Sequence, residues 1–353
     1  EVVDVPHREY TTGRSGIGEI VERLFVCRVN TPSGSGLPAP YRGKASGTVT
    51  SKESMVPSQV RSPLNYTGNK KRLVAEIIPL LPAPSPQHER FVDVFGGSMT
   101  VGMNSGYSQV IFNDVQTDVV ALGQLFRDVP CPQIVDEVEA LIAEYGLSDS
   151  GRHGYEAYGA NSSNGLGRVN KDAYLRLRDD FNCLDPADRR RPFLFFTLVV
   201  FGFNNQIRYN RRGEFNMPVG KRDFNGRVRK NLFDTVTRMH ELGPELWTLD
   251  FRDVFGKLAT TDLVYCDPPY ILGTAPYNEQ NAWTADDETA LLSELAAFAA
   301  RGGTFGLSNV LSHKGSEHDQ LSDWAAEHGF AVHTLDYSYA NSSYQRKDRN
   351  ASQ

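Results

Sequence analysis

The chain has 353 residues, 40% of them apolar and 23% charged, with a formal net charge of −6. That make-up suits a globular protein of two or three domains, not a disordered or fibrous one. No run reaches the roughly 18 apolar residues of a membrane span, no apolar centre of a signal peptide stands near the start, and four scattered cysteines (Cys27, Cys131, Cys183, Cys266) disfavour a zinc site or disulfide framework.

In chain order, residues 31–60 are rich in Gly, Ser, Pro and Thr and read as a linker. Asn65-Tyr-Thr-Gly-Asn-Lys70 precedes a helix-like stretch, Arg72–Leu81, and by itself fits a capping turn. Phe91–Phe95 is a short apolar strand that runs into Gly96-Gly97-Ser98 and helix-like Met99–Tyr107. Gln109–Phe112 is a second strand, closed by Asn113-Asp114, and Thr117–Arg127 a second helix. Strand, helix, strand and helix at this spacing predict a parallel sheet with crossover helices. Residues 130–245 break the rhythm, with helical Ile134–Tyr145, a Gly/Asn/Ser-rich loop at Gly151–Gly167, helical Lys171–Phe181 and the apolar run Phe193–Phe203. They read as a mostly helical insert. The sheet resumes at Leu246–Leu249 and Asp262–Cys266, followed by an amphipathic helix (Ala285–Arg301), a strand (Thr304–Ser308), a helix (Asp319–His328) and a strand (Phe330–Tyr339).

Two features carry chemistry. Asp267-Pro268-Pro269-Tyr270 closes the strand Asp262–Cys266, and two prolines force the chain out of the sheet there. In a parallel sheet that exit lies on the carboxyl edge where ligands bind. A carboxylate, exposed carbonyls and an aromatic face can hold a planar exocyclic amine and stack its ring; a tight turn with a surface tyrosine is the plainer alternative. The second feature is electrostatic: between Arg208 and Arg238, nine Lys/Arg stand against three acids. Such a block marks either an anionic partner or a solvated loop. The Gly96-Gly97 turn is not G-x-G-x-x-G, which argues against a nicotinamide-dependent dehydrogenase.

Taken together and in this order, the Tyr66-x-Gly68-x-Lys70 segment, the Gly-rich turn, the insert and Asp267-Pro268-Pro269-Tyr270 resemble the Dam-like (alpha group) DNA adenine-N6 methyltransferases. The resemblance spans about residues 61–350. It is strongest at Arg208-Tyr-Asn-Arg-Arg-Gly-Glu-Phe-Asn-Met-Pro-Val-Gly220, and also shows at Tyr174–Asn182 and Asn341–Lys347. It implies a Rossmann-like class I S-adenosylmethionine-dependent α/β fold, with a mostly parallel seven-stranded sheet and an inserted, mainly helical target-recognition domain. The catalytic domain would comprise 61–129 and 246–353, and the recognition domain 130–245, with an N-terminal segment 1–30 donating a strand.

The resemblance also implies roles. Tyr66, Gly68 and Lys70 would line the methionine end of S-adenosylmethionine; Asp93, Phe95 and Gly96 would floor the cofactor site, Asp114 would hold the ribose, and Asp250 and Phe251 the adenine. Asp267, Pro268, Pro269 and Tyr270 would act on a flipped-out adenine. The Asp267 carboxylate and the Pro268 carbonyl would accept the two N6 protons while Tyr270 stacks on the ring, with no metal required. In the insert, Arg208 would read guanine, Asn204 and Asn210 would reach phosphate or base, Pro218 would meet a thymine methyl, and Arg211, Arg212, Lys221, Arg222, Arg227, Arg229 and Lys230 would contact phosphates. The implied partners are double-stranded DNA and, in a restriction-modification pair, the cognate restriction endonuclease, in the cytoplasm of a bacterial, archaeal or phage-infected cell. An N4-cytosine methyltransferase and an inactive DNA-binding regulator of the same fold remain as alternatives; Asp at 267 favours adenine.

In this family a last antiparallel strand follows the Asn-Ser-Ser-Tyr-x-Arg-Lys turn. The sequence after Lys347 carries no such strand, whereas Glu1-Val-Val-Asp-Val5 has its character. The expectation is a circular permutation in which Glu1–Val5 lies beside Phe330–Tyr339.

Overall fold

The computed structural model describes residues 21–27, 59–64, 69–161, 163–271, 283–313 and 316–335. Eight strands form one sheet: β1 (Val21–Cys27), β2 (Arg90–Asp93), β3 (Val110–Asn113), β4 (Glu245–Trp247), β5 (Asp262–Cys266), β6 (Thr304–His313), β7 (Ser316–Glu317) and β8 (Ala331–Leu335). Seven follow one path, β4-β3-β2-β5-β6-β1-β8, and the two-residue β7 pairs with β6 off that path. The run from β4 to β6 is parallel throughout, and β1 is antiparallel to both of its neighbours. This is the mostly parallel seven-stranded α/β sheet that the sequence predicts.

Side chains alternate between the faces of a strand, so each central strand feeds two cores. Phe91, Phe112, Leu263 and Tyr265 enter one core; Val92, Ile111, Val264 and Cys266 enter the other. Burial on both faces is why these strands read as continuous apolar runs. The second core is closed by Leu291, Leu295 and Phe298 of the helix Ala285–Ala300 and by Leu321 and Trp324 of the helix Asp319–His328. Thr284 starts the former helix with a reciprocal capping box to Asp287.

The first core runs on into the insert without a break. Phe126, Ile134, Val138, Leu177, Phe181, Phe195, Val199, Leu232 and Val236 all belong to it. They come from the crossover helix Thr117–Asp128 and from the insert helices Cys131–Tyr145, Gly167–Cys183, Arg191–Phe201 and Gly226–Leu242. Segment 130–245 is therefore mainly helical and shares its core with the sheet. Gly226–Leu242 is unpredicted: its cationic N-terminal turn masks a helix capped by the Asn225 side chain, which accepts from the Arg227 and Val228 N–H groups.

Two expected helices are shorter than their patterns. Met99–Tyr107 reduces to Thr100–Met103. Arg72–Leu81 becomes Val74–Ile77 and a 3-10 turn over Ile78–Leu80, because Pro79 has no N–H to continue the α-helical ladder. The position beside β8 is also corrected. It is filled by Val21–Cys27, with Glu22 opposite Val310 of β6 and Leu335 of β8. Leu24 and Val26 fill one core and Phe25 the other, a double duty that calls for a longer apolar run than Glu1–Val5. Glu1–Val5 and Gln353 lie outside the described residues.

Candidate active site

β2 and β5 are parallel neighbours with Asp93 in register with Tyr265, so Asp93 and Asp267 emerge at the same carboxyl edge of the sheet. Between them opens a cleft of about 370 Å³, lined by Asn69, Lys70, Asp93, Phe95, Gly96, Gly97, Ser98, Thr100, Val101, Tyr265 and Asp267. The glycine turn lets backbone into this space. Gly97 sits at φ 46°, in the left-handed region that glycine tolerates. Its N–H donates to Asp114 Oδ2 at 3.0 Å, and Gln116 N–H donates to Asp114 Oδ1 at 2.9 Å. Burial nevertheless pushes the Asp114 carboxyl up to about 6, against the opposing pull of those two N–H groups. Asp93 is raised well above the usual carboxylate range by burial and by the Asp267 charge. Its Oδ1 is buried with no hydrogen-bond partner among the described residues.

At the other side of the cleft Asp267 and Tyr270 join a compact polar cluster. Lys70 Nζ lies 2.6 Å from Asp267 Oδ2 and 3.1 Å from Glu22 Oε1, and donates to the Tyr270 hydroxyl at 2.7 Å. That hydroxyl in turn lies 2.9 Å from both Glu22 Oε1 and Asp267 Oδ1. Lys70 and Glu22 are fully buried. Burial alone would lower the Lys70 ammonium, but Asp267 and Glu22 more than offset it and hold it above its ordinary value. For Asp267, burial dominates and raises the carboxyl to about 6; Lys70 pulls it down and Glu22 pushes it up. Pro268 is buried and Pro269 exposed, so the turn leaves the sheet as its two prolines require. The Cys266 thiol is buried, and burial raises it well above its usual range, which suits a packed strand residue and no nucleophile.

The remaining cofactor candidates divide: Phe251 packs on Phe95 at the cleft, whereas Asp250 faces solvent. Phe95 and Phe251 pack with ring centroids 5.9 Å apart, and Trp283 closes on both at 5.6 and 5.5 Å. Trp283 is held by Glu288, whose carboxylate accepts from its indole N–H at 2.7 Å. Asp250 is exposed; it caps the helix Phe251–Phe255 by accepting from Arg252 N–H at 2.9 Å and pairs with the Arg252 guanidinium. Tyr66 and Gly68 lie outside the described residues.

In the insert, Arg208–Asn216 folds back as a hairpin-like turn, with a bridge between Tyr209 and Phe215. Gly220 packs where a Cβ would collide with the Gly202 carbonyl, which lets the base of this turn close. Arg208 donates from Nε to Asn216 Oδ1 at 2.7 Å and from Nη2 to Asn216 O at 2.8 Å. Of the five donors on a guanidinium, others remain for a base edge. Asn210 is spent on the turn: its Oδ1 accepts from Arg212 and Glu214 N–H groups, and its Nδ2 donates to Glu214. Asn204, Arg211, Arg212, Pro218, Lys221, Arg222 and Arg227 are exposed. Arg229 instead bonds Glu139 at 2.6 Å and stacks on Phe224, and Lys230 pairs with Asp234 within its helix.

Three residues of interest carry no motif. Glu22 is a lone acid in an apolar run, and such an interruption in a strand buried on both faces is the signal that marks it. Phe203 is an exposed aromatic next to Asn204 and Asn205, both at positive φ, at the foot of the hairpin. Trp283 had no sequence signal beyond its aromaticity.

Residues 66–341 match the family model of the D12 class N6 adenine-specific DNA methyltransferases. The chain belongs to this family. It is 33% identical over 294 residues to the type II methyltransferase M.FokI of Planomicrobium okeanokoites, covering 81% of this chain and 41% of that protein. It is 30% identical over 358 aligned positions to modification methylase StsI of Streptococcus sanguinis, covering 99% and 50%. A DNA adenine methylase of Salmonella typhi is 27% identical over 215 residues, covering 60% and 65%. The chain thus spans half or less of the length of the first two relatives. Methyltransferases of this family use a methyl donor and act on DNA. No helix among the described residues is long and apolar enough to cross a membrane.

Proposed function

We propose that this chain transfers a methyl group from S-adenosylmethionine to N6 of a flipped-out adenine in a specific sequence of duplex DNA. The observation that carries the reading is the placement of Asp267 and Tyr270 just past the carboxyl end of β5, beside the acid-lined cleft that opens between β5 and its parallel neighbour β2. S-adenosylmethionine fits the residues present. It brings an ammonium and a sulfonium, and the cleft offers Asp93 with an unpartnered buried oxygen, together with Asp114 and Asp267. A buried carboxylate without a cation is costly, and a cationic ligand relieves that cost. When bound, the cofactor supplies an electrophilic methyl group.

Everything else falls to the protein. An adenine amino group is a poor nucleophile because its lone pair is delocalised into the ring, and in a duplex it is paired. Extruding the base costs a few kcal/mol, which the Tyr270 ring offsets by stacking. Asp267 and the Pro268 carbonyl accept hydrogen bonds from the N6 amino group and draw the nitrogen towards a pyramidal shape; as it gains the methyl group, the nitrogen gives up one proton, by way of the Asp267 carboxylate, to water. Fixed dipoles and orientation then supply the rate. Exposed Arg211, Arg212, Lys221 and Arg222 position the phosphates, while Arg208 and the Asn204–Pro218 surface face the bases. β1 supplies an antiparallel strand between β6 and β8, the place expected for a permuted final strand, which favours the permuted domain layout. The setting is the cytoplasm of a cell whose DNA is modified in this way, with a cognate endonuclease where the enzyme serves restriction-modification.

The test is incubation of unmethylated duplex DNA with the chain and methyl-labelled S-adenosylmethionine, followed by nucleoside mass spectrometry. N6-methyldeoxyadenosine supports the reading. N4-methyldeoxycytidine moves the target to cytosine, and DNA binding without label makes the chain a regulator.

A further inference from the structure

β1 does more than complete the sheet. Its Glu22 carboxylate is fully buried and meets two members of the site at once, Lys70 Nζ at 3.1 Å and the Tyr270 hydroxyl at 2.9 Å. The same two groups bond Asp267, at 2.6 and 2.9 Å. One ammonium and one hydroxyl are therefore shared between two carboxylates. Only Asp267 and Tyr270 belong to the motif that acts on the target base; Glu22 arrives from a strand about 240 positions away in sequence.

We propose that Glu22 is a positioning residue for the methyl-transfer site: it anchors Lys70 and the Tyr270 hydroxyl so that Asp267 is aimed at the target amine and stays a strong hydrogen-bond acceptor. The proposal rests on the function proposed above. Without Glu22, Lys70 would neutralise Asp267 alone, and a carboxylate fully committed to one ammonium accepts less well from a neutral amine. With Glu22 the ammonium is divided, and two carboxylates fix its position. Tyr270 is anchored at its hydroxyl and holds its ring in place for stacking. Among the described residues, the groups facing Asp267 are Lys70, Glu22 from β1, Asp93 from β2, Tyr265 and Cys266 of its own strand, and Tyr270. Among them Glu22 is an acid that raises Asp267 from outside the motif.

Glu22→Gln keeps the shape and removes the charge. Expected is a fall in kcat of about 10- to 100-fold, the scale for groups that orient a catalytic ligand, with duplex and S-adenosylmethionine affinities unchanged within about twofold. The Asp267 carboxyl, followed by 13C NMR in the DNA-free protein, titrates at a pH lower by about half a unit or more once the neighbouring charge is gone. Glu22→Asp keeps the charge, retains the wild-type midpoint and recovers part of the rate. Wild-type kcat and an unmoved midpoint in Glu22→Gln overturn the proposal. So does an equal loss in both variants with a lowered melting temperature, which assigns Glu22 to the sheet alone. A midpoint that moves in a protein that methylates no DNA upholds the positioning and overturns the proposed function; methylating wild type with an unmoved midpoint does the reverse.

Discussion

The Lys70 ammonium and the Asp267 carboxylate meet at 2.6 Å in a buried site. The two come from opposite ends of the sequence pattern: Lys70 precedes the first crossover helix, and Asp267 ends the central strand β5. Lys70, expected at the cofactor, therefore also ties the cleft to the carboxylate proposed to handle the target amine. Burial makes the pair consequential, because a lost partner leaves an uncompensated charge.

Asp267→Ala removes the acceptor for the target amine. Methylation is expected to fall by at least about 10²-fold, with S-adenosylmethionine affinity within a few-fold. Stopped-time transfer assays and calorimetric titration measure the two. Wild-type turnover in this variant would remove Asp267 from the mechanism.

pH dependence follows from two of the three raised acids, Asp267 and Asp114. Asp267 titrates at about 6, so kcat should decline as pH falls through about 6 and the carboxylate is protonated. Stability runs the other way for these groups. Asp114 also stands at about 6 in the fold, against 3.8 ordinarily, so between those values the folded chain binds more protons than the unfolded one. Its contribution to stability therefore grows as pH falls through that window. Urea unfolding at pH 7 and pH 5 should show wild type gaining on Asp114→Asn at the lower pH.

Tyr270→Ala loses the stacking platform, worth about 1–3 kcal/mol per base, and should lower turnover correspondingly with little effect on duplex affinity. Tyr270→Phe keeps the ring and loses only the hydroxyl bonds to the Lys70 cluster, so it should retain more activity. A fluorescent base analogue at the target position reads the extruded state directly. Equal extrusion in both variants and wild type would count against stacking.

Arg208→Ala should relax discrimination at one base pair, whereas Lys221→Ala should weaken all sequences alike and reduce the salt slope by about one. Arg208→Lys is not expected to rescue. An ammonium cannot both hold the Asn216 side chain and carbonyl and present a bidentate edge to guanine. Binding to a panel of single-substitution duplexes at two salt concentrations separates these outcomes.

Asp118 joins the sheet to the insert. It accepts from Arg191 Nε and Nη2 at 2.7 and 3.0 Å and from the Tyr209 hydroxyl at 2.6 Å. Asp118→Ala strands a largely buried guanidinium and should cost about 3–5 kcal/mol of stability. It should also release the Tyr209 end of the hairpin and lower specific DNA binding more than non-specific binding. Chemical denaturation and competition binding check the two effects.

The sequence by itself determined the family, the parallel core of the sheet and the place where the chain leaves β5. Those features live in local patterns: apolar runs of strand length, Gly96-Gly97, and an Asp267-Pro268-Pro269-Tyr270 segment that cannot stay in a sheet. It also marked the cationic surface of the insert, because charge is counted without knowing shape. Only tertiary structure decided how the charges are divided. Arg229 and Lys230 look like Arg222 in sequence, yet the Arg229 partner Glu139 is known only once two helices pack, and the Lys230 partner Asp234 only once Gly226–Leu242 is seen to be a helix. Asn210 likewise looks like a contact residue until the turn consumes its side chain. Tertiary structure also decided that Val21–Cys27, and not Glu1–Val5, stands between β6 and β8, since a strand's place depends on pairing and on filling both cores at once. Glu22 shows the same limit most sharply. A carboxylate in an apolar strand stands out in one dimension, but nothing there says which groups it meets; it joins Lys70 and Tyr270 only when β1 closes the sheet beside β6.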